Sequence, residues 1–167
     1  MPPLPAEAQR LRIEQRPVSH PDARLLIEEV QQEYVVRYGG RDSTPMHPSE
    51  LAPPRGAFYV GYCDARPVMT GAWRFRDDVQ RLGSTRPAEV KRMYVAPSAR
   101  RLGLARSMLG HLEAAARAAG ADVMILETGT AQPEAMALYV AVGYQPVEPF
   151  GHYKDAPQNR CYARRLV

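Results

Sequence analysis

Between Val95 and Met108 the chain reads Ala-Pro-Ser-Ala-Arg100-Arg101-Leu102-Gly103-Leu104-Ala105-Arg106-Ser, a short connection between an alternating apolar segment and one with helical spacing. A helix that starts directly after a strand exposes N–H groups that no earlier carbonyl satisfies, and these together with the helix dipole attract an anion. Gly103 lets the backbone come close to a guest, Ala105 keeps the next turn small, and Arg100, Arg101 and Arg106 add positive charge. The pattern describes a pyrophosphate cradle, although a turn glycine before a solvated helix start has the same residues. It is not a nucleotide P-loop, because no Gly-Lys-Ser/Thr follows, and it lacks the GxGxxG of a dinucleotide site.

Other chemistries find less support. Cys63 and Cys161 have no CxxC or Cys/His spacing, so neither a zinc site nor a disulfide framework is indicated, and both read as buried strand residues. His20, His47 and His111 have no nucleophile or metal partner in view and read as structural or solvated. No metal site is expected.

The elements that must position the cradle follow from periodicity. Leu11 to Glu14 alternates as a short strand, and Ser19-His20-Pro21-Asp22 opens a helix whose apolar positions Leu26, Ile27, Val30, Tyr34 and Val35 run to Gly39-Gly40. Residues 41–56 are polar and proline-rich, a loop with at most one helical turn. Ala57 to Cys63 and Pro67 to Arg76 read as a hairpin around Asp64-Ala65-Arg66, and Ala88 to Val95 as another strand ended by Pro97. Leu104 to Ala119 is an amphipathic helix closed by Gly120. Val123 to Leu126 then reads as a buried strand, Glu134 to Val142 as a helix before Gly143, and Arg160 to Leu166 as the last strand. This order predicts an α/β fold, a central mixed sheet flanked by helices, with a right-handed βαβ unit from Glu89 to Leu126.

Bulk properties agree with one folded domain over the 167 residues: 45% are hydrophobic and 24% charged. No apolar run approaches a membrane span, and Met1-Pro2-Pro3-Leu4-Pro5 lacks the blocks of a signal peptide, so the chain reads as cytoplasmic with no membrane partner. The net charge of +4 includes the cluster Arg92, Arg100, Arg101 and Arg106, and does not by itself call for nucleic acid.

The run from Glu89 to Ala105, Glu-Val-Lys-Arg-Met-Tyr-Val-Ala-Pro-Ser-Ala-Arg-Arg-Leu-Gly-Leu-Ala, resembles the GNAT acetyltransferase segment with its Arg/Gln-x-x-Gly-x-Gly/Ala loop. The likeness continues through Leu126-Glu-Thr-Gly129 and Ala135-Met-Ala-Leu-Tyr139-Val-Ala-Val-Gly143-Tyr144, covering residues 88–146. It implies the GNAT-like acyl-CoA N-acyltransferase fold and acetyl-CoA as co-substrate. The pyrophosphate would sit on the amides of residues 101–106, and the pantetheine would pair with the strand backbone at Met93 and Val95. The family's Asn seven residues before the tyrosine is here Gln132.

Acetyl transfer needs a neutral amine, a stabilised oxyanion and a protonated leaving thiolate. The resemblance assigns Glu89 as general base, with a structural carboxylate pairing Lys91 or Arg92 as its other reading, and Tyr139 as the acid that meets the thiolate. The N–H of Met93 or Tyr94 would meet the oxyanion. Acceptor contacts are expected from Glu127 at a strand end, from Tyr34 and Tyr38 late in the first helix, and from Phe150 and Tyr153 in the loop before the last strand. A small-molecule amine is the expected acceptor. A protein, an aminoacyl-tRNA, or acyl-CoA binding without turnover are the alternatives, and a homodimer is compatible with the family.

Overall fold

The computed structural model describes residues 11–166, so residues 1–5, read above for a targeting signal, lie outside the described part. The elements run β1 (Leu11–Gln15), α1 (Pro21–Tyr38), a 3₁₀ turn (Pro48–Leu51), β2 (Gly56–Cys63), β3 (Arg66–Phe75), β4 (Pro87–Val95), α2 (Leu104–Ala118), β5 (Val123–Gly129), α3 (Pro133–Ala141), β6 (Gln145–Val147) and β7 (Asn159–Arg165). They build one seven-stranded sheet in the order β1-β2-β3-β4-β5-β7-β6. Every neighbouring pair is antiparallel except β4 and β5, joined by the predicted crossover through α2.

The two faces carry separate cores. On one, α2 buries Leu104, Met108, Leu109, Leu112 and Ala116 against Tyr59, Met69, Trp73 and Val90. These are the apolar positions of the sequence pattern, and each fully buried leucine or methionine side chain contributes about 1.5–3 kcal/mol. On the other, α1 packs Ala23, Leu26 and Val30 over Phe58, Val60, Ala72 and Tyr94. His20 caps the start of α1 through Asp22 N–H, and Gly39 in the left-handed conformation stops it. Val35, expected on the apolar stripe, is largely exposed. Two features had no sequence signal: β6, whose three residues include Pro146 at the sheet edge, and a bulge in β4 that leaves Arg92 at φ +57.

The feature that matters for function is where β4 and β5 part. Their pairing consists of Pro87 with Val123, Ala88 with Met124 and Glu89 with Ile125. Beyond Glu89 and Ile125 the strands separate, and the edge of β4 from Val90 to Val95 has no strand partner on the β5 side. The resulting wedge opens at the C-terminal ends of two parallel strands, where α/β folds take ligands.

Candidate active site

A cavity of about 320 Å³ fills the wedge. Its walls come from β4 (Val90 to Met93), β5 (Leu126 to Gly129), Gln132 and Tyr139 of the α3 region, Tyr34 and Tyr38 of α1, and the loops carrying Asp42 and Tyr153. The expected residues Met93, Gln132, Tyr139, Glu127, Tyr34, Tyr38 and Tyr153 thus meet around one space, although they are scattered over some 120 positions of sequence.

Tyr139 is 6% exposed, between Tyr144 and Tyr162 at ring distances of 5.8 and 6.2 Å. Burial, then the neighbouring Tyr34, pushes its phenol well above the ordinary value, so it stays protonated at neutral pH. Glu127 lies two residues past the last β4–β5 pair, at the edge of the opening. Burial, only partly opposed by Lys91, pushes its carboxyl up to about 7. Gly151, at φ +88, abuts this carboxylate: a Cβ there would stand 2.8 Å from Glu127 Oε2. Tyr34 is pushed up to about 12 by burial and by Asp42.

Glu89 is placed differently from the expectation of a general base. It is 2% exposed and outside the lining of the Tyr139 cavity. Its Oε1 accepts from Arg74 Nε at 3.0 Å and Arg76 Nη1 at 2.8 Å, with Lys91 Nζ 4.0 Å from Oε2. Glu89 lines the second hollow described below, and its buried ion-pair cluster, with Arg74 and Arg76 as principal partners, favours its structural reading. Phe150, expected as an acceptor contact, lies outside the Tyr139 cavity and packs into the core. It is 4% exposed among Val79, Ile125 and Cys161, with the Arg76 and Arg81 guanidiniums each 5.7 Å from its ring centre. It borders a second, wider hollow of about 890 Å³, polar in its lining, that shares only Lys91 and Glu127 with the cavity.

The anion cradle shows a division of labour among its arginines. Gly103, at φ +77, caps α2 with no side-chain partner and faces open space. The first bond entering the helix from outside runs from Ser107 N–H to the Gly103 carbonyl at 3.2 Å, so the amides of Leu104, Ala105 and Arg106 point out of the helix end. Arg101 and Arg106 are exposed, as is Leu102, whereas Leu104 is buried in the core. Arg100 is already engaged: its Nε donates to the Val95 carbonyl at 2.9 Å and its Nη2 to Glu33 at 2.6 Å. Arg37 continues the chain of charges by meeting Glu33 at 3.6 Å and Glu134 at 2.9 Å. Helix α1 is thereby tied to both lips of the wedge. Tyr38 donates to Gln132 Oε1 at 3.1 Å and sits so close to Gly129 that no side chain fits there. Tyr94 turns its ring to the α1 core and donates to Glu29 at 3.1 Å, so only its backbone is on the β4 edge.

The acetyltransferase (GNAT) family profile matches residues 25–144, well over half of the chain and all of the wedge-forming elements. The protein belongs to the GNAT acetyltransferase family. It is an acyltransferase, and its fold is that of GNAT acyl-CoA N-acyltransferases. The uncharacterized N-acetyltransferase YsnE of Bacillus subtilis is 30% identical over 126 residues, 70% of this chain and 83% of that one. An IAA acetyltransferase of Azospirillum brasilense is 45% identical over 69 residues, 41% of this chain and only 45% of the relative's length. Among solved structures, a GNAT-family acetyltransferase of Staphylococcus aureus superposes with a TM-score of 0.71 at 15% identity, covering 94% of this chain and 99% of that one. One from Elizabethkingia anophelis, solved with acetyl-CoA bound, gives 0.64 at 14% identity, with coverages of 94% and 99%. At these identities the likeness is one of fold. No helix among the described residues is long and apolar enough to cross a membrane.

Proposed function

We propose that this chain, as a single domain, transfers acetyl from acetyl-CoA to the primary amine of a small molecule, directly and within a ternary complex. The observation that carries the reading is that Glu127 and Tyr139, a carboxyl near neutrality and a phenol held protonated, line the same small cavity in the β4–β5 wedge. Acetyl-CoA supplies the thioester carbonyl that the amine attacks, forming C–N and breaking C–S. Its pyrophosphate fits the outward amides of residues 104–106 with Arg101 and Arg106, and its pantetheine fits the unpaired edge of β4 at Met93 and Val95. Arg100, fixed on Val95 and Glu33, holds the loop in place.

Within that frame Glu127, in place of Glu89, accepts the proton lost by the amine, and Tyr139 delivers one to the departing sulfur. Met93 and Tyr94 offer backbone N–H groups for the developing oxyanion. The acceptor reaches Glu127 from the second hollow, which opens where the two spaces share Lys91 and Glu127. A small acceptor is favoured by the closed side of the cavity. Tyr153 hydroxyl donates to Asp42 at 3.2 Å and accepts from Ser43 N–H at 2.8 Å, tying two loops together across the site.

Titration of acetyl-CoA followed by thiol release against a panel of amines tests the reading. Binding with release on an amine class is expected, and absence of acetyl-CoA binding would overturn it. Tyr139→Phe is expected to lower kcat about 10²-fold with acetyl-CoA affinity retained. An unchanged kcat would remove the phenol from its role. Reversing charge at both Arg101 and Arg106 to Glu should weaken acetyl-CoA about tenfold or more, most at low salt, since charge-assisted contacts to phosphate are lost. The same change at a solvated site, such as Arg117, should leave the affinity as it was.

A further inference from the structure

We infer that the acceptor is an amine that also carries a carboxylate, an amino-acid-like molecule whose anionic end is held by Arg92 and Asn159 while its amine faces Glu127. The inference deepens the acetyl transfer proposed above and rests on it.

Two buried donors in the cavity wall have no acceptor among the described residues: Arg92 Nη1 and Asn159 Nδ2. The Arg92 side chain is 17% exposed, and its nearest carboxylate oxygen, Asp42 Oδ2, stands at 3.7 Å, beyond hydrogen-bond reach. Asp42 is turned to its own loop instead, accepting from Thr44 N–H and hydroxyl at 2.9 and 2.7 Å and from Tyr153 at 3.2 Å. Asn159, in the cavity lining, is 7% exposed, and its Oδ1 accepts from the Cys161 thiol at 3.8 Å, while its amide nitrogen is buried without a partner among the described residues. Lys91 adds a third donor to the wall, its ammonium 4.0 Å from Glu89 and its side chain 10% exposed.

Buried donors left unmatched are costly, and a guanidinium more so than an amide, so a wall built this way is matched by a guest that brings anionic oxygens. The pantetheine arm is uncharged and makes no demand for a guanidinium. A simple amine with no anionic group would leave the Arg92 and Asn159 donors unmatched, whatever it gains from Asp42 and Glu127 in the same wall. An amino acid satisfies both ends: its carboxylate accepts from Arg92 and Asn159, and its amine, once neutral, presents its lone pair to the thioester with Glu127 ready for the proton. The space of about 320 Å³, shared with the tip of the acetylated arm, suits a molecule of this size.

The test is thiol release by the full chain with matched sets of acceptors: free amino acids, their α-amides and their decarboxylated amines. A kcat/KM at least about tenfold higher for the acids is expected, the effect of one charge-assisted contact. Arg92→Gln should raise KM for the acids about tenfold or more, leave kcat within about threefold and abolish the preference, with acetyl-CoA affinity unchanged. Asn159→Ala provides the same readout, in weaker form, should the first variant not fold. Equal efficiency across the three sets, or an Arg92→Gln effect on acetyl-CoA affinity in place of acceptor KM, overturns the carboxylate seat while leaving acetyl transfer intact. Release with no amine at all overturns the seat together with the transfer reading on which it rests.

Discussion

Glu127→Gln is expected to lower kcat by about 10²–10⁴-fold while acetyl-CoA still binds, the range for removal of a positioned general base. The pH dependence carries the sign. With the carboxyl raised to about 7, the accepting carboxylate is present above that pH and lost below it. Activity should therefore rise through pH 7 to a plateau, and the rise should vanish in Glu127→Gln. The same shift acts on stability in the other direction. A carboxyl raised by folding favours the native state while protonated, so this contribution is full below its unfolded value and is lost as pH climbs through about 7. An activity profile that keeps its limb near pH 7 in the variant would assign the titration to another group.

The second large effect is one of stability. Glu89→Ala should destabilise the fold by about 3–5 kcal/mol, because it leaves the guanidiniums of Arg74 and Arg76 in the interior without their shared carboxylate. Their side chains are 8% and 11% exposed, so water entering from the second hollow replaces it only in part. Urea unfolding measures the loss. Glu50 and Asp78, which hold the outer sides of the two arginines, soften it but lie too near the surface to substitute. A loss below about 1 kcal/mol, typical of exposed pairs, would return Glu89 to contention as a mobile, reactive acid.

Glu89 and Glu127 show what the sequence carries and what it does not. Both sit on strands that periodicity finds, and Gly103, Gly120 and the apolar stripe of α2 mark the βαβ unit joining them. Which carboxylate borders the cavity depends on register. Glu89 lies directly across from Arg74 of β3 and is paired on its other side with Ile125, whereas Glu127 lies past the point where the strands part. Neither the parting nor the arrival of Arg74 and Arg76 has a local pattern, because both are long-range consequences of sheet assembly. The same holds for Phe150, whose loop position suggested exposure. The turn at Gly151 folds the ring back beneath two arginines. Local signals locate the elements; packing decides which side of each element water can reach.

The wedge also separates what must stay constant from what can change. In the proposed reaction the groups that would face acetyl-CoA are largely main-chain: the edge of β4 and the first amides of α2, fixed by the sheet and by the Arg100–Glu33–Arg37–Glu134 chain of charges. The groups that would face the acceptor are side chains, drawn both from the strands, as Arg92 and Glu127 are, and from the loops around Asp42 and Tyr153. Exchanging the loops around Asp42 and Tyr153 should therefore alter the acceptor side while leaving the thioester half of the site as it is.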